Sequence, residues 1–141
     1  MRSYEIEQYI LACIVIKPSL INELYVDMSC FSDDYHKWLI TFLKKAYDKF
    51  KRFDPVVLTN AIKDTNSKSK FILYFNELQE LVAVPGSFYE YQEMLVDYKK
   101  ENLIKLFFFL FLPSRRGAKR RISIYIILYS IIGGHFDNTF G

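Results

Sequence analysis

The sequence predicts an all-α fold: a small bundle of about six helices over residues 1–105. Three observations carry that reading. Apolar residues recur with a period near 3.6 in one segment after another. No strand-like alternation precedes residue 103. Capping residues and prolines stand where the apolar stripes start and stop. A chain of 141 residues, 51% of them apolar, is long enough for one modest core.

The first helix covers residues 4–16, with Ile6, Tyr9, Ile10, Cys13 and Ile14 on one face. Cys13 lies in that stripe and reads as a buried structural thiol rather than a reactive one. Lys17-Pro18 ends the helix, because the residue before proline is pushed out of the α region. Pro18 or Ser19 then opens a short helix through Leu20, Ile21 and Leu24, and residues 27–31 form a loop.

Residues 32–62 organise the rest: a long amphipathic helix, a corner at Asp54-Pro55, and a second short helix. Leu39, Ile40, Leu43, Ala46, Tyr47 and Phe50 make one stripe, opposite a face that includes Lys37, Thr41, Lys44, Lys45, Asp48 and Lys49. Ser32 is the expected cap, with Asp33 and Asp34 in the first turn, where the helix dipole favours negative charge. Asp54 caps the following helix, and Pro55 suits its first position because its missing N–H would be unpaired there.

Residues 64–70 (DTNSKSK) are polar and read as an exposed loop. Residues 71–82 place Phe71, Tyr74, Phe75, Leu78, Leu81 and Val82 on one helical face, until Val84-Pro85-Gly86 breaks it. Ser87 and Glu90 have the spacing of a capping box, opening a helix that carries Tyr91, Met94, Leu95 and Tyr98 and can run past Asn102.

The sequence changes character after Lys105. Residues 107–112 (FFFLFL) lack periodicity, residues 114–121 hold five basic residues, and residues 122–132 are an almost unbroken apolar run. Each apolar run is about half the ~20 residues that a membrane-spanning helix needs. The plain reading is a segment outside the domain's design, either a truncated or shifted reading frame or a poorly ordered extension. The alternatives are a membrane hairpin with a basic turn and a buried β-hairpin.

Charge divides in the same way. Residues 1–101 carry 13 Lys/Arg and 15 Asp/Glu, a net of −2, whereas residues 102–141 carry six and one, a net of +5. Basicity is therefore a property of the tail, and the front part has no global bias toward nucleic acid. Two cysteines do not make a disulfide framework, and residues 1–7 do not resemble a secretory signal, so a reducing, intracellular compartment is expected.

The order of features over residues 5–105 resembles the N-terminal domain of the replicative DNA helicase, the DnaB family. Glu5-Ile6-Glu7-Gln8-Tyr9-Ile10-Leu11 is similar to that family's opening xxEQxVLG, and Cys13 and Ile14 continue it. Phe31 and His36 resemble the family's F…H before its long helix, and Ile40, Ala46 and Tyr47 follow at similar spacing. Asp54 matches the aspartate of a P-x-D corner, with Arg52 where proline is usual and Phe50 where glycine is common. Tyr74, Leu78 and Pro85 resemble the next helix and its break. Tyr91 and Val96 resemble a Y…iV helix, with about one residue missing before it.

The resemblance implies a collar domain that pairs with neighbouring helicase subunits as a homo-oligomer and receives primase or a helicase loader. It also implies the cytoplasm of a bacterium or phage-infected cell, or an organelle interior, with no membrane association. The family's ATP and magnesium belong to its motor domain. No G-x-x-x-x-G-K-[ST] phosphate cradle occurs in this sequence, so neither ATP hydrolysis nor unwinding by this chain alone is expected, and no cofactor is.

Few residues read as sites. His36 and His135 are the only histidines, and with Cys13 and Cys30 they show no metal-ligand spacing. His36 reads as a helix-start residue bonding locally rather than as a ligand or base. Phe31, His36, Asp54, Pro85 and Tyr91 read as structural. Lys44, Lys45, Lys49, Lys51 and Arg52 form a basic cluster, a solvated helix end by default and otherwise a contact for nucleic acid or an acidic partner. Arg115, Arg116, Lys119, Arg120 and Arg121 can meet phosphates if exposed. They define the second function class, a small nucleic-acid-binding protein that uses its tail; a degenerate gene fragment is the third.

Overall fold

The computed structural model describes residues 1–111. Among them are five α-helices and three 3-10 helices, with no strand: α1 Ser3–Ile16, α2 Asp34–Phe50, α3 Pro55–Ala61, α4 Thr65–Glu80 and α5 Phe88–Phe111. The six-residue 3-10 helix Pro18–Glu23 takes the place of the short helix expected there, and Met28–Cys30 and Pro85–Ser87 are single 3-10 turns. The described residues divide into two units, Met1–Val96 and, from Asp97 onward, residues 97–111.

In the first unit α1 is the centre. Ile10, Leu11, Ala12, Cys13 and Ile14 are all buried, so the helix is enclosed nearly all round rather than along one stripe. It contacts α2, α4, Pro18–Glu23 and the turn Pro85–Ser87. Phe31, between Met28–Cys30 and α2 in the chain, is 2% exposed. The Cys13 thiol donates to the carbonyl of Val84 at 3.4 Å, and burial pushes its pKa up to about 11, which makes it an inert packing group. The expected stripe of α2 is buried at Leu39, Ile40, Leu43 and Ala46, with His36 added one turn earlier, but its last members are not: Tyr47 is half-buried and Phe50 is exposed.

Three local expectations are corrected. The cap of α2 is Asp33, which accepts the backbone N–H of His36 at 2.9 Å; the Ser32 hydroxyl donates to Glu7 instead. Residues 65–70 are not a loop but the first turns of α4. Asp64 caps that helix by accepting the N–H of Ser67 at 3.0 Å and its hydroxyl at 2.9 Å. The cap outweighs the weak helix propensity of the exposed TNSKSK stretch. Finally, α4 stops at Glu80, with Leu81 extended and Val82 87% exposed rather than on the buried face.

Asp54 caps α3 by accepting the N–H groups of Val56 at 2.9 Å and Val57 at 3.4 Å, with Pro55 at the first helical position. Lys51 ends α2 in the left-handed conformation, φ 58°, the one non-glycine residue with positive φ among those described. Its N–H bonds to the Tyr47 carbonyl at 2.8 Å, which is the geometry that glycine adopts without a Cβ penalty.

The opening residues of α5 belong to the first unit, where Phe88, Gln92 and Leu95 are buried. Gln92 accepts the N–H of Tyr25 at 2.9 Å and donates to the Glu23 carbonyl at 3.4 Å, which fixes the loop between α1 and α2. In the second unit, residues 97–111 are helical throughout. The helix therefore continues across Lys105, where the sequence changes character. Leu and Phe are compatible with helix, and no proline or glycine interrupts them before residue 113. Phe107 and Phe111 stack one turn apart, with ring centroids at 4.5 Å. Among the described residues no helix is long and apolar enough to cross a membrane.

Two substitutions at this corner have opposite signs. Asp54→Ala removes the α3 cap and lowers unfolding free energy by about 1 kcal/mol in urea titration. Lys51→Gly raises it by about 0.5 kcal/mol, by relieving the left-handed strain at the cost of a surface ring contact. Destabilisation by Lys51→Gly contradicts the helix-end geometry.

Candidate functional site

The described residues place one polar cluster inside the core. Glu7, on α1, is fully buried, although charged residues are rarely buried unless paired. Its carboxylate accepts five hydrogen bonds. One oxygen takes the Ser3 hydroxyl at 2.6 Å, the Ser32 hydroxyl at 2.8 Å and the Ser32 N–H at 3.2 Å. The other takes the Asp33 N–H at 3.2 Å and His36 Nδ1 at 3.1 Å. The segment entering α2 is thus tied to α1 through backbone and side chain together.

His36 is also fully buried and extends the network to α4, with the Tyr74 hydroxyl hydrogen-bonded to its Nε2. Tyr4 stacks over the imidazole with centroids 4.6 Å apart. The partners place one proton: an ionised carboxylate only accepts, so Nδ1 carries a proton, while Nε2 shares its hydrogen bond with the tyrosine hydroxyl. Burial alone raises the pKa of Glu7. The hydrogen bonds from His36, Ser3 and Ser32 outweigh it and hold the carboxyl at about 2, below its ordinary 4.5. Burial pushes the Tyr74 phenol up, which keeps it a neutral donor.

A carboxylate oriented on a histidine is also the supporting half of a catalytic triad. Here the nitrogen that would take a proton from a nucleophile is occupied by Tyr74, and the ring has no solvent access. The serines bond to the carboxylate and not to the imidazole. The chemistry of this cluster is therefore architectural: it joins α1, the start of α2, and α4 at one point.

The residues singled out from sequence fall into three places. His36 makes a local backbone bond to Asp33, as expected, but its ring works at long range on Glu7 and Tyr74, which local reading does not reveal. Asp54 is a cap, Pro85 opens a 3-10 turn, and Tyr91 accepts the Val84 N–H at 3.3 Å and packs against Tyr9. Lys44, Lys45, Lys49 and Arg52 are exposed at the far end of α2. Lys49 and Lys51 lie over the rings of Phe50 and Tyr47, respectively. Arg115, Arg116, Lys119, Arg120 and Arg121 lie outside the described residues. Among the described residues no group of three or more His, Cys, Asp or Glu is placed to hold a metal ion.

Fold and site together define a helical domain built around a closed polar latch. The family model for the DnaB-like helicase N-terminal domain matches residues 1–97. The chain therefore belongs to the DnaB-like helicase N-terminal domain family. No curated protein and no solved structure matches it.

Glu7 makes stability depend on pH in one direction. Its folded pKa lies below the ordinary value, so its contribution is complete above pH 4.5 and is lost as pH falls toward 2, about 3 kcal/mol in all. Glu7→Gln is less stable at neutral pH and loses less of its stability over that acid window in chemical denaturation. An equally steep acid limb in the variant contradicts the latch.

Proposed function

We propose that the chain is the assembly and docking module of a replicative DNA helicase, associating with other copies of itself and receiving primase or a helicase loader. The reading rests on one observation, the family match over residues 1–97, which are helical in the structure. The closed polar cluster supports it, because burial leaves the outer surface, rather than an internal cleft, to carry the function. The proposed setting is the cytoplasm of a bacterial or phage-infected cell, or an organelle interior, with ATP and magnesium used by a motor domain rather than by this one.

The test is sedimentation velocity on the full chain, with capture of the cognate primase and loader. Self-association or capture supports the reading; a monomer that captures neither overturns it. The charge of +5 in residues 102–141 supplies the competing reading, a nucleic-acid-binding protein. Salt-dependent DNA binding that disappears when Arg115, Arg116, Arg120 and Arg121 are changed to alanine would favour that reading instead.

A further inference from the structure

The net charge of −2 over the front of the chain conceals a segregation. Residues 41–70 carry eight Lys/Arg and three Asp/Glu, a net of +5, while the rest of residues 1–96 carries three and ten, a net of −7. Two of the three acids in the basic stretch, Asp54 and Asp64, are engaged as helix caps. The basic stretch runs through the end of α2, all of α3 and the start of α4, and α3 packs on α4; the side chain of its last residue, Lys70, is directed elsewhere, over the ring of Tyr35.

Between α3 and α4 lies an open groove of about 440 Å³, lined by Pro55, Val56, Thr59, Asn60, Lys68 and Ile72. Its walls are mainly apolar and exposed: Val56 is 78% accessible and Ile72 is 43%. Its single ionisable lining group is Lys68. An apolar trough with a cation at its lip, built from a basic stretch of the chain, selects for two features at once. It takes aliphatic side chains, whose burial is favourable, and carboxylates beside them. A phosphate backbone matches the charge but not the valine, proline and isoleucine walls.

We propose that the α3–α4 groove seats an acidic amphipathic helix of a partner protein, with aliphatic anchors against Val56 and Ile72 and a carboxylate paired with Lys68. The proposal rests on the reading of the chain as a docking module and names the surface and the partner chemistry. Helix-in-groove recognition reads anchors at i, i+3 or i+4 and i+7, and the surrounding cations speed encounter.

The test uses the full chain and two fluorescent designed helices, one with a leucine face and a glutamate face, the other with lysine in place of glutamate. The leucine–glutamate helix is expected to raise anisotropy on binding, less so as salt increases, and the leucine–lysine helix is not. Val56→Asp and Lys68→Glu, both outside the core, each weaken binding about tenfold with an unchanged circular dichroism spectrum. The proposal is overturned by absent binding, by equal binding of both helices, or by indifference to both substitutions. It is overturned too if duplex DNA displaces the helix from the groove, or if Val56→Asp changes the sedimenting mass, which would assign the groove to a second copy. Wild-type self-association or cognate capture that survives both substitutions refutes the groove alone and leaves the docking-module reading standing.

Discussion

An ionised carboxylate in the middle of the core is the constraint from which the rest of this fold follows. Glu7 can be charged there only because five donors converge on it from Ser3, Ser32, Asp33 and His36. Two of the five are backbone N–H groups of the segment leading into α2, so the carboxylate sets where that helix begins. His36 carries the constraint to α4 through Tyr74, 38 residues further along the chain. Apolar contacts alone tolerate sliding of one helix along another. A buried acceptor whose donors come from several elements does not, since any slip leaves charge unpaired.

The same constraint explains what was legible in the residues. The stripe of α2 follows from period alone, and it is buried from Leu39 to Ala46, whereas Tyr47 and Phe50, at the helix end, are not buried. Asp54 and Pro55 announce α3 because capping is a local interaction. Ser32 and Asp33 are a harder choice: both are good caps, and the long-range demand of Glu7 for the serine leaves the aspartate to serve α2. His36 looked local because its tertiary partners lie 29 and 38 residues away. Glu7 stood inside the motif that carried the resemblance, and its spacing from Ser3 and Ile10 places it on the buried side of α1. Nothing local separates it from the exposed Glu5.

The two misread boundaries have different causes. Residues 65–70 are poor in apolar side chains, so periodicity is silent there, and the helix is decided by the Asp64 cap and the packing of Phe71 and Tyr74 beyond it. Residues 106–111 are the reverse case. Apolar on every side, they give no stripe, and yet nothing in them stops a helix already under way. Charge segregation around α3 was hidden by summing over the whole front of the chain. It becomes visible only when residues 41–70, which run from α2 through α3 into α4, are counted apart.

The most direct measurement of this account is the titration of the Glu7 side-chain carboxyl by carbon NMR in the full-length protein. Buried and held by its five donors, the group stays ionised well below 4.5 and titrates near pH 2, and its resonance moves when Tyr74 is changed to Phe. A midpoint at or above the ordinary 4.5, with no response to Tyr74→Phe, means that the carboxylate is not the point at which the helices are joined.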